Sequence, residues 1–176
     1  PKDLIVRTYL AERSLAEQKY DLAVQQYRQM LELAPKNPMI LNNLAWALGK
    51  VPDAEFIHTS YSATLAANNS ANVRDLVQHE AYREIFPTLG LADTAKAHWS
   101  TTAGGVMYAA GAGGTITGFG AGKMREGFGG AIIIDDPHKA DEARSDVIRQ
   151  GVIDWFSNTL ESRKNDPERT PIILIM

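Results

Sequence analysis

The stretch that decides the fold is Ala131-Ile132-Ile133-Ile134-Asp135-Asp136-Pro137. Four apolar residues in a row, three of them β-branched, read as a strand buried on both faces, as parallel strands are. The two carboxylates at its end project from the sheet edge into whatever site lies there. Asp-Asp-Pro is costly as core and poor as a hairpin turn, so ligand chemistry at a nucleotide-type acidic motif is the expected reason for it. A solvated strand end is the plainer alternative.

Downstream of this strand, Glu142 to Thr159 reads as an amphipathic helix with Val147, Ile148, Val152, Trp155 and Phe156 inward. After Asn165-Asp166-Pro167, residues 171–176 read as a second buried strand. Strand, helix, strand at this spacing predicts two parallel strands joined by a right-handed crossover. Upstream, the Gly- and Thr-rich segment 104–118 predicts a hairpin of two strands around Gly111-Ala112-Gly113-Gly114. Glu55-Phe56-Ile57-His58 predicts a short strand. Thr59-Ser60-Tyr61-Ser62 supplies helix caps, and a helix should run to about Ile85 with a break near Asn68-Asn69-Ser70. The punctuation Gly49-Lys50-Val51-Pro52-Asp53 places a domain boundary near 51–54, dividing the chain into 1–50 and 51–176.

Gly118-Phe119-Gly120-Ala121-Gly122-Lys123-Met124 looks like a phosphate loop and fails the test for one. Such a loop needs glycine five positions before the Gly-Lys pair and a hydroxyl residue after it, so that amides cradle phosphate and the hydroxyl holds magnesium. Thr117 and Met124 stand there instead. Lys123 also precedes Asp135 by only 12 residues, too few for the helix and return strand that would separate the two. The same glycines allow either a mobile loop carrying Lys123 and Arg125 toward phosphate or DNA, or a plain flexible connection. Among His58, His79, His98 and His138 no pair has the spacing of a helical metal site, and only His138 lies near the carboxylates.

The 176 residues are 44% hydrophobic and 22% charged with net charge −3. That is ordinary globular composition for one α/β domain or two small ones, and it gives no global basic field for nucleic acid. With 0 cysteines there are no disulfides or thiolate metal sites, which fits a cytoplasmic chain. No apolar run approaches the ~20 residues of a membrane span. The chain opens on Pro1 and stops at Met176 inside an apolar run, so it reads as a fragment of something longer.

Residues 4–50 carry no strand signal and predict two or three helices. Ala11, Leu15 and Ala16 mark one apolar face, and Leu22, Ala23, Tyr27, Met30, Leu31 and Ala34 a second that ends at Pro35-Lys36-Asn37-Pro38. Leu41, Leu44, Ala45 and Leu48 open a third, on which Trp46 reads as core or interface. Leu10, Ala11, Tyr20, Ala23, Tyr27 and Pro35 sit at offsets that resemble the tetratricopeptide repeat, a helix pair of about 34 residues. Arg7 and Ala11 replace that repeat's usual aromatic and glycine. The resemblance implies a peptide-binding groove; packing against the rest of the chain is the plainer reading, because one and a half repeats make little concave surface.

From 54 to 176 a second resemblance accumulates in order: His58-Thr59-Ser60-Tyr61-Ser62, Leu65-Ala66, Val73-Arg74, Ile85-Phe86-Pro87, the 104–118 segment, Ile133-Ile134-Asp135-Asp136-Pro137, Glu142-Ala143 and Asp154-Trp155-Phe156. Together they resemble the middle of the ATPase domain of the terminase large subunit of tailed phages and prophages, a DNA-packaging motor followed by a nuclease. The implied fold is α/β, a tetratricopeptide-like helical segment followed by a partial parallel-sheet P-loop-NTPase-like segment. The resemblance implies ATP and Mg2+ as cofactors of the parent family, with Asp135 as the Walker B aspartate and metal ligand. Asp136 then takes the place of the catalytic residue that polarises water, usually a glutamate, and Arg125 becomes a candidate phosphate or DNA sensor. Viral DNA and the small terminase and portal proteins are the implied partners, in host-cell cytoplasm. The Walker A loop that should precede residue 54 is replaced by repeat-like sequence, so the chain is expected to hold nucleotide weakly and to be inactive in hydrolysis. Two other readings stand beside this one: an interaction module with the α/β part as scaffold, and a chimera without an evolved function as a unit. Open repeat and sheet edges make homo-oligomers an expectation under any of them.

Overall fold

The computed structural model describes residues 9–10, 13, 38–139 and 141–175. Of the repeat-like stretch, Ala11, Leu15, Ala16, Tyr20, Ala23, Tyr27 and Pro35 lie outside the described residues. The first complete element is helix α1 (Pro38–Lys50), followed by strand β1 (Glu55–Ser60). Helices α2 (Ala63–Gln78) and α3 (Glu80–Ile85) lead to the short strand β2 (His98–Ser100) and to β3 (Val106–Gly111). Strand β4 (Gly130–Asp135), helix α4 (Asp146–Trp155) and β5 (Ile172–Ile175) complete the order. A π-helical turn at Phe156–Leu160 and a 3-10 turn at Glu161–Arg163 prolong α4.

The five strands form one sheet in the order β2-β3-β1-β4-β5. All neighbours are parallel except the antiparallel edge pair β2-β3. Parallel strands are covered on both faces, and the continuous apolar run of β4 is what that requires, while β1 adds Phe56-Ile57 before three buried polar residues. Phe56, Met107, Ala131 and Ile133 on one face pack with α1 and α2 through Leu44, Leu48, Val73 and Val77. Ile57, Ile132 and Ile134 on the other face pack with Leu160, Trp155 and Phe156. The helix written into 41–48 thus shares the core of the sheet. Trp46 is half-buried, edge-on to Phe86 at 5.3 Å.

Three expectations are corrected. The segment 104–118 forms no hairpin: β3 pairs in parallel with β1, from Glu55↔Val106 to Ser60↔Gly111, and residues 115–118 form no strand. The local turn signal loses to the gain from burying β3 on both faces, while Ile116 drops into the second core and Trp155 Nε1 donates to Gly114 O at 2.8 Å. Helix α2 is unbroken at Asn68-Asn69-Ser70, because the Ser70 hydroxyl is occupied as acceptor for the Trp99 indole at 2.9 Å rather than competing for backbone. The break comes at His79, whose extended backbone separates α2 from α3. Finally, helix α4 does not turn all its apolar residues inward: Val147 is 82% and Ile148 40% exposed, since no described element covers that end.

The glycines at 120–122 allow close contact rather than mobility. A Cβ at Gly120 would meet the Asn165 side chain and one at Gly122 the Thr170 side chain, and Ala121 bridges to Lys164. Tyr82 ties α3 to α1, its buried hydroxyl donating to Ala45 O at 2.8 Å, and burial pushes its phenol well above the ordinary value. Tyr82→Phe removes this bond with no change of shape. It is expected to lower stability by about 1 kcal/mol in urea denaturation; an unchanged midpoint would show that α1 contributes nothing through it.

Candidate functional site

Strands β1 and β4 lie side by side with their chains leaving the sheet in opposite directions. From β1 the chain turns through the Ser62 cap into α2, on the face that carries Phe56. From β4 it runs to α4 and its π-helical continuation, on the face that carries Ile132 and Ile134. The crevice position of open α/β sheets, at the topological switch where ligands bind, therefore falls at the carboxyl ends of these two strands. Asp135 and Asp136 stand at it.

The register pairs Ser60 with Asp135, so both side chains leave the sheet on the face under α2. Asp135 is 3% exposed, and Asn69 Nδ2 on α2 donates to its Oδ2 at 3.4 Å. Asp136 is exposed and has φ of 45°, in the left-handed region where a non-glycine residue is strained. Its backbone is clamped on both sides: its N–H donates to Ile175 O and its C=O accepts from Tyr61 N–H, each at 2.9 Å. Strain held in place by hydrogen bonds at a strand terminus is typical of functional positions.

Sequence reasoning missed the polar group behind the carboxylates. His58 and Ser60 are fully buried on the Asp135 face, and neither the His58 ring nitrogens nor Ser60 Oγ finds a hydrogen-bond partner among the described residues. Burial lowers the His58 pKa to about 4, so the ring is neutral at pH 7. The alternation of β1, with His58 and Ser60 two residues apart beside Asp135, could have been read as one polar face had the β1-β4 pairing been known. His138, beyond the carboxylates, lines an apolar groove against α4.

Arg125 is not brought to this crevice. Its guanidinium holds Asp53 by two bonds of 2.5 and 2.9 Å, and this pairing keeps the Asp53 carboxyl below its usual range. Asp53 precedes β1, so Arg125 sits at the amino end of the sheet, roughly 20 Å from Asp135 at about 3.3 Å per residue. Lys123 is at the same far end, paired with Glu55, whose other oxygen accepts from Asn165 Nδ2 at 2.7 Å. Ala121 and Gly122 of this segment are buried, while Met124 is 83% exposed.

Among the described residues no three Asp, Glu or His side chains gather into a metal cluster, and no helix is long and apolar enough to cross a membrane. Compared with known proteins, the chain matches no family model and no curated sequence.

His58 makes stability depend on pH. Its folded pKa lies below the unfolded value near 6.5, so the unfolded chain takes up the proton first. The loss begins as pH falls below 6.5 and is complete near 4, amounting to roughly 3 kcal/mol at 1.36 kcal/mol per unit. Denaturation at pH 7, 5.5 and 4.5 should show this decline, and His58→Leu should flatten it. An equal decline in His58→Leu would assign the effect to other groups.

Proposed function

We propose that this chain carries the acidic half of a magnesium-nucleotide site of the terminase-motor type and does not hydrolyse ATP by itself. The observation that carries the reading is the position of Asp135 and Asp136 at the crevice between β1 and β4, with Asp136 strained and clamped. The donor chemistry suits magnesium, which takes one or two carboxylates and completes its shell with water and phosphate oxygens, so a larger protein cluster is not required. Asp135 would hold the ion, with Asn69 helping to orient its carboxylate. A bound Mg2+ would neutralise phosphate charge.

Asp136 is suited to orient a water or accept its proton, being exposed on a backbone that cannot easily turn away. Arg125 and Lys123 take no part in this reading, because both are paired at the opposite end of the sheet. The sequence offers no loop of amides with a following hydroxyl to cradle the phosphates, so the larger part of the expected nucleotide affinity is missing. DNA, small-subunit and portal partners come with the terminase reading by resemblance alone. A docking platform on 4–50 is less favoured, since α1 gives Leu44, Ala45 and Leu48 to the core.

Two measurements test the reading. With Mg2+ and ATP the chain should release no phosphate above background, and turnover that disappears in Asp135→Asn would show that a complete site exists after all. Mn2+, followed by water-proton relaxation, should bind weakly and lose that binding in Asp135→Asn. Binding that survives the substitution would remove Asp135 from the metal site and sink the reading.

A further inference from the structure

Two polar side chains of β1 are buried without partners, and the one nearer the end of the strand stands beside Asp135. Ser60 is the last residue of β1 and pairs in register with Asp135, the last of β4. The two side chains therefore leave the same face of the sheet from neighbouring strands about 4.8 Å apart. Both are buried, yet Ser60 Oγ makes no hydrogen bond to the Asp135 carboxylate or to any other described group. A hydroxyl rotates freely and carries one donor and two acceptor sites, so it ordinarily turns to a carboxylate within reach. Here the two oxygen groups are neighbours without a direct bond.

The surroundings give the hydroxyl no substitute. On its other side Ser60 pairs with Gly111, which has no side chain and lies close under α2: a Cβ there would come 2.7 Å from Ala63 N. Three polar side chains of α2 and its cap are engaged elsewhere. Ser62 Oγ accepts from Leu65 N–H, Asn69 Nδ2 donates to Asp135, and Ser70 Oγ accepts from the Trp99 indole. A buried polar atom without a partner destabilises the fold, so its retention calls for a partner from outside the chain.

We infer that Ser60 Oγ is a second protein ligand, together with the Asp135 carboxylate, of the divalent ion assigned to this crevice. Both are hard oxygen donors, one anionic and one neutral, which suits magnesium and manganese. In a phosphate loop the hydroxyl that follows the lysine holds the magnesium. The sequence offers no hydroxyl in that place, and Ser60 supplies one from the neighbouring strand instead. His58, the other buried group without a partner, is the weaker candidate, since it lies one pleat deeper and imidazole suits zinc or copper rather than magnesium. Solvent is one residue away from the pair. Tyr61 and Asp136, the residues that follow Ser60 and Asp135, are both exposed, so an ion reaches the site from the carboxyl end of the sheet. This inference rests on the reading of Asp135 as a metal-binding carboxylate and adds a residue to it.

The test uses the absence of cysteine in the chain. Ser60→Cys exchanges a hard ligand for a soft one of similar size, and a thiolate prefers Cd2+. Added Cd2+ should give this variant the ultraviolet charge-transfer absorption of a cadmium–thiolate bond, which the unaltered chain should lack. Because the ion is shared, adding Asp135→Asn to Ser60→Cys should weaken Cd2+ binding roughly 10-fold or more. With Mn2+, followed by water-proton relaxation, Ser60→Ala should bind roughly 10-fold more weakly than the unaltered chain. In chelator, Ser60→Ala should be no less stable than the unaltered chain, because it removes only a hydroxyl without a partner; lost affinity is thereby separated from lost folding. Mn2+ binding that vanishes in Asp135→Asn and is unchanged in Ser60→Ala overturns the inference, leaves the Asp135 reading intact, and makes Ser60 the host of a trapped water only. So does a cadmium band of equal strength with and without Asp135→Asn, since the thiol then binds alone. No Mn2+ binding by the unaltered chain, or binding that survives Asp135→Asn, removes both. If Ser60→Cys fails to fold, Ser60→Ala with Mn2+ decides.

Discussion

The register of β1 against β4 is the constraint on which the rest depends. Pairing Phe56 with Ala131, His58 with Ile133 and Ser60 with Asp135 assigns every side chain of both strands to a face. Sliding β4 by one residue would turn Ile132 and Ile134 toward α2 and bring Asp135 under α4, among Leu160, Trp155 and Phe156. The register is held by apolar burial on two sides and by Gly130. That residue has φ of 133°, and a Cβ there would lie 1.9 Å from Glu55 O, so only glycine lets β4 begin this close to β1. From this start the chain delivers its two carboxylates to the crevice five and six residues later.

The same register explains why polar groups are buried at the carboxyl half of β1. The amino half packs Phe56 into the α1-α2 core, while the carboxyl half places His58 and Ser60 under the first turns of α2. A hydrophobic residue at either place would stabilise the fold more simply, since an unpaired buried polar group costs about 1–3 kcal/mol. The protein instead keeps a neutral imidazole and a hydroxyl next to the most buried carboxylate of the crevice. Regions where local choices conflict with simple stability are where function is expected. The ion pairs at the other end, Lys123–Glu55 and Arg125–Asp53, have the opposite character. They satisfy every charge they involve and close the amino side of the sheet.

How much of this was legible in the sequence follows from the range of the forces involved. Strands β4 and β5 and their parallel sense could be read because a run such as Ile132-Ile133-Ile134 is unambiguous and the connection is local. Helix α1 was legible from Leu41, Leu44, Ala45 and Leu48. The pairing of β3 with β1 was not, because it joins residues about fifty apart across a helix pair, while the nearby glycines gave a strong local hint of a hairpin. The place of Arg125 was hidden for a like reason: its partner Asp53 is 72 residues away. Short-range pattern also gives no measure of cover, so Val147 and Ile148 read as core in a helix whose outer end has none.

Strand β5 and the carboxylate crevice are mechanically joined. Asp136 keeps its strained backbone through two hydrogen bonds, one to Tyr61 on the β1 side and one to Ile175, the last residue of β5. The first is anchored in the middle of the sheet. The second depends on a four-residue strand that is bonded on one side among the described residues, and strands at a sheet edge open locally at lower free energy than interior ones. Release of Ile175 would let Asp136 relax from φ of 45° toward ordinary conformations and carry its carboxylate out of the crevice. Whatever steadies β5 raises the cost of that opening, and so holds Asp136 in place without touching it. Because linkage is reciprocal, a ligand that needs Asp136 in its strained position would in turn favour an ordered β5.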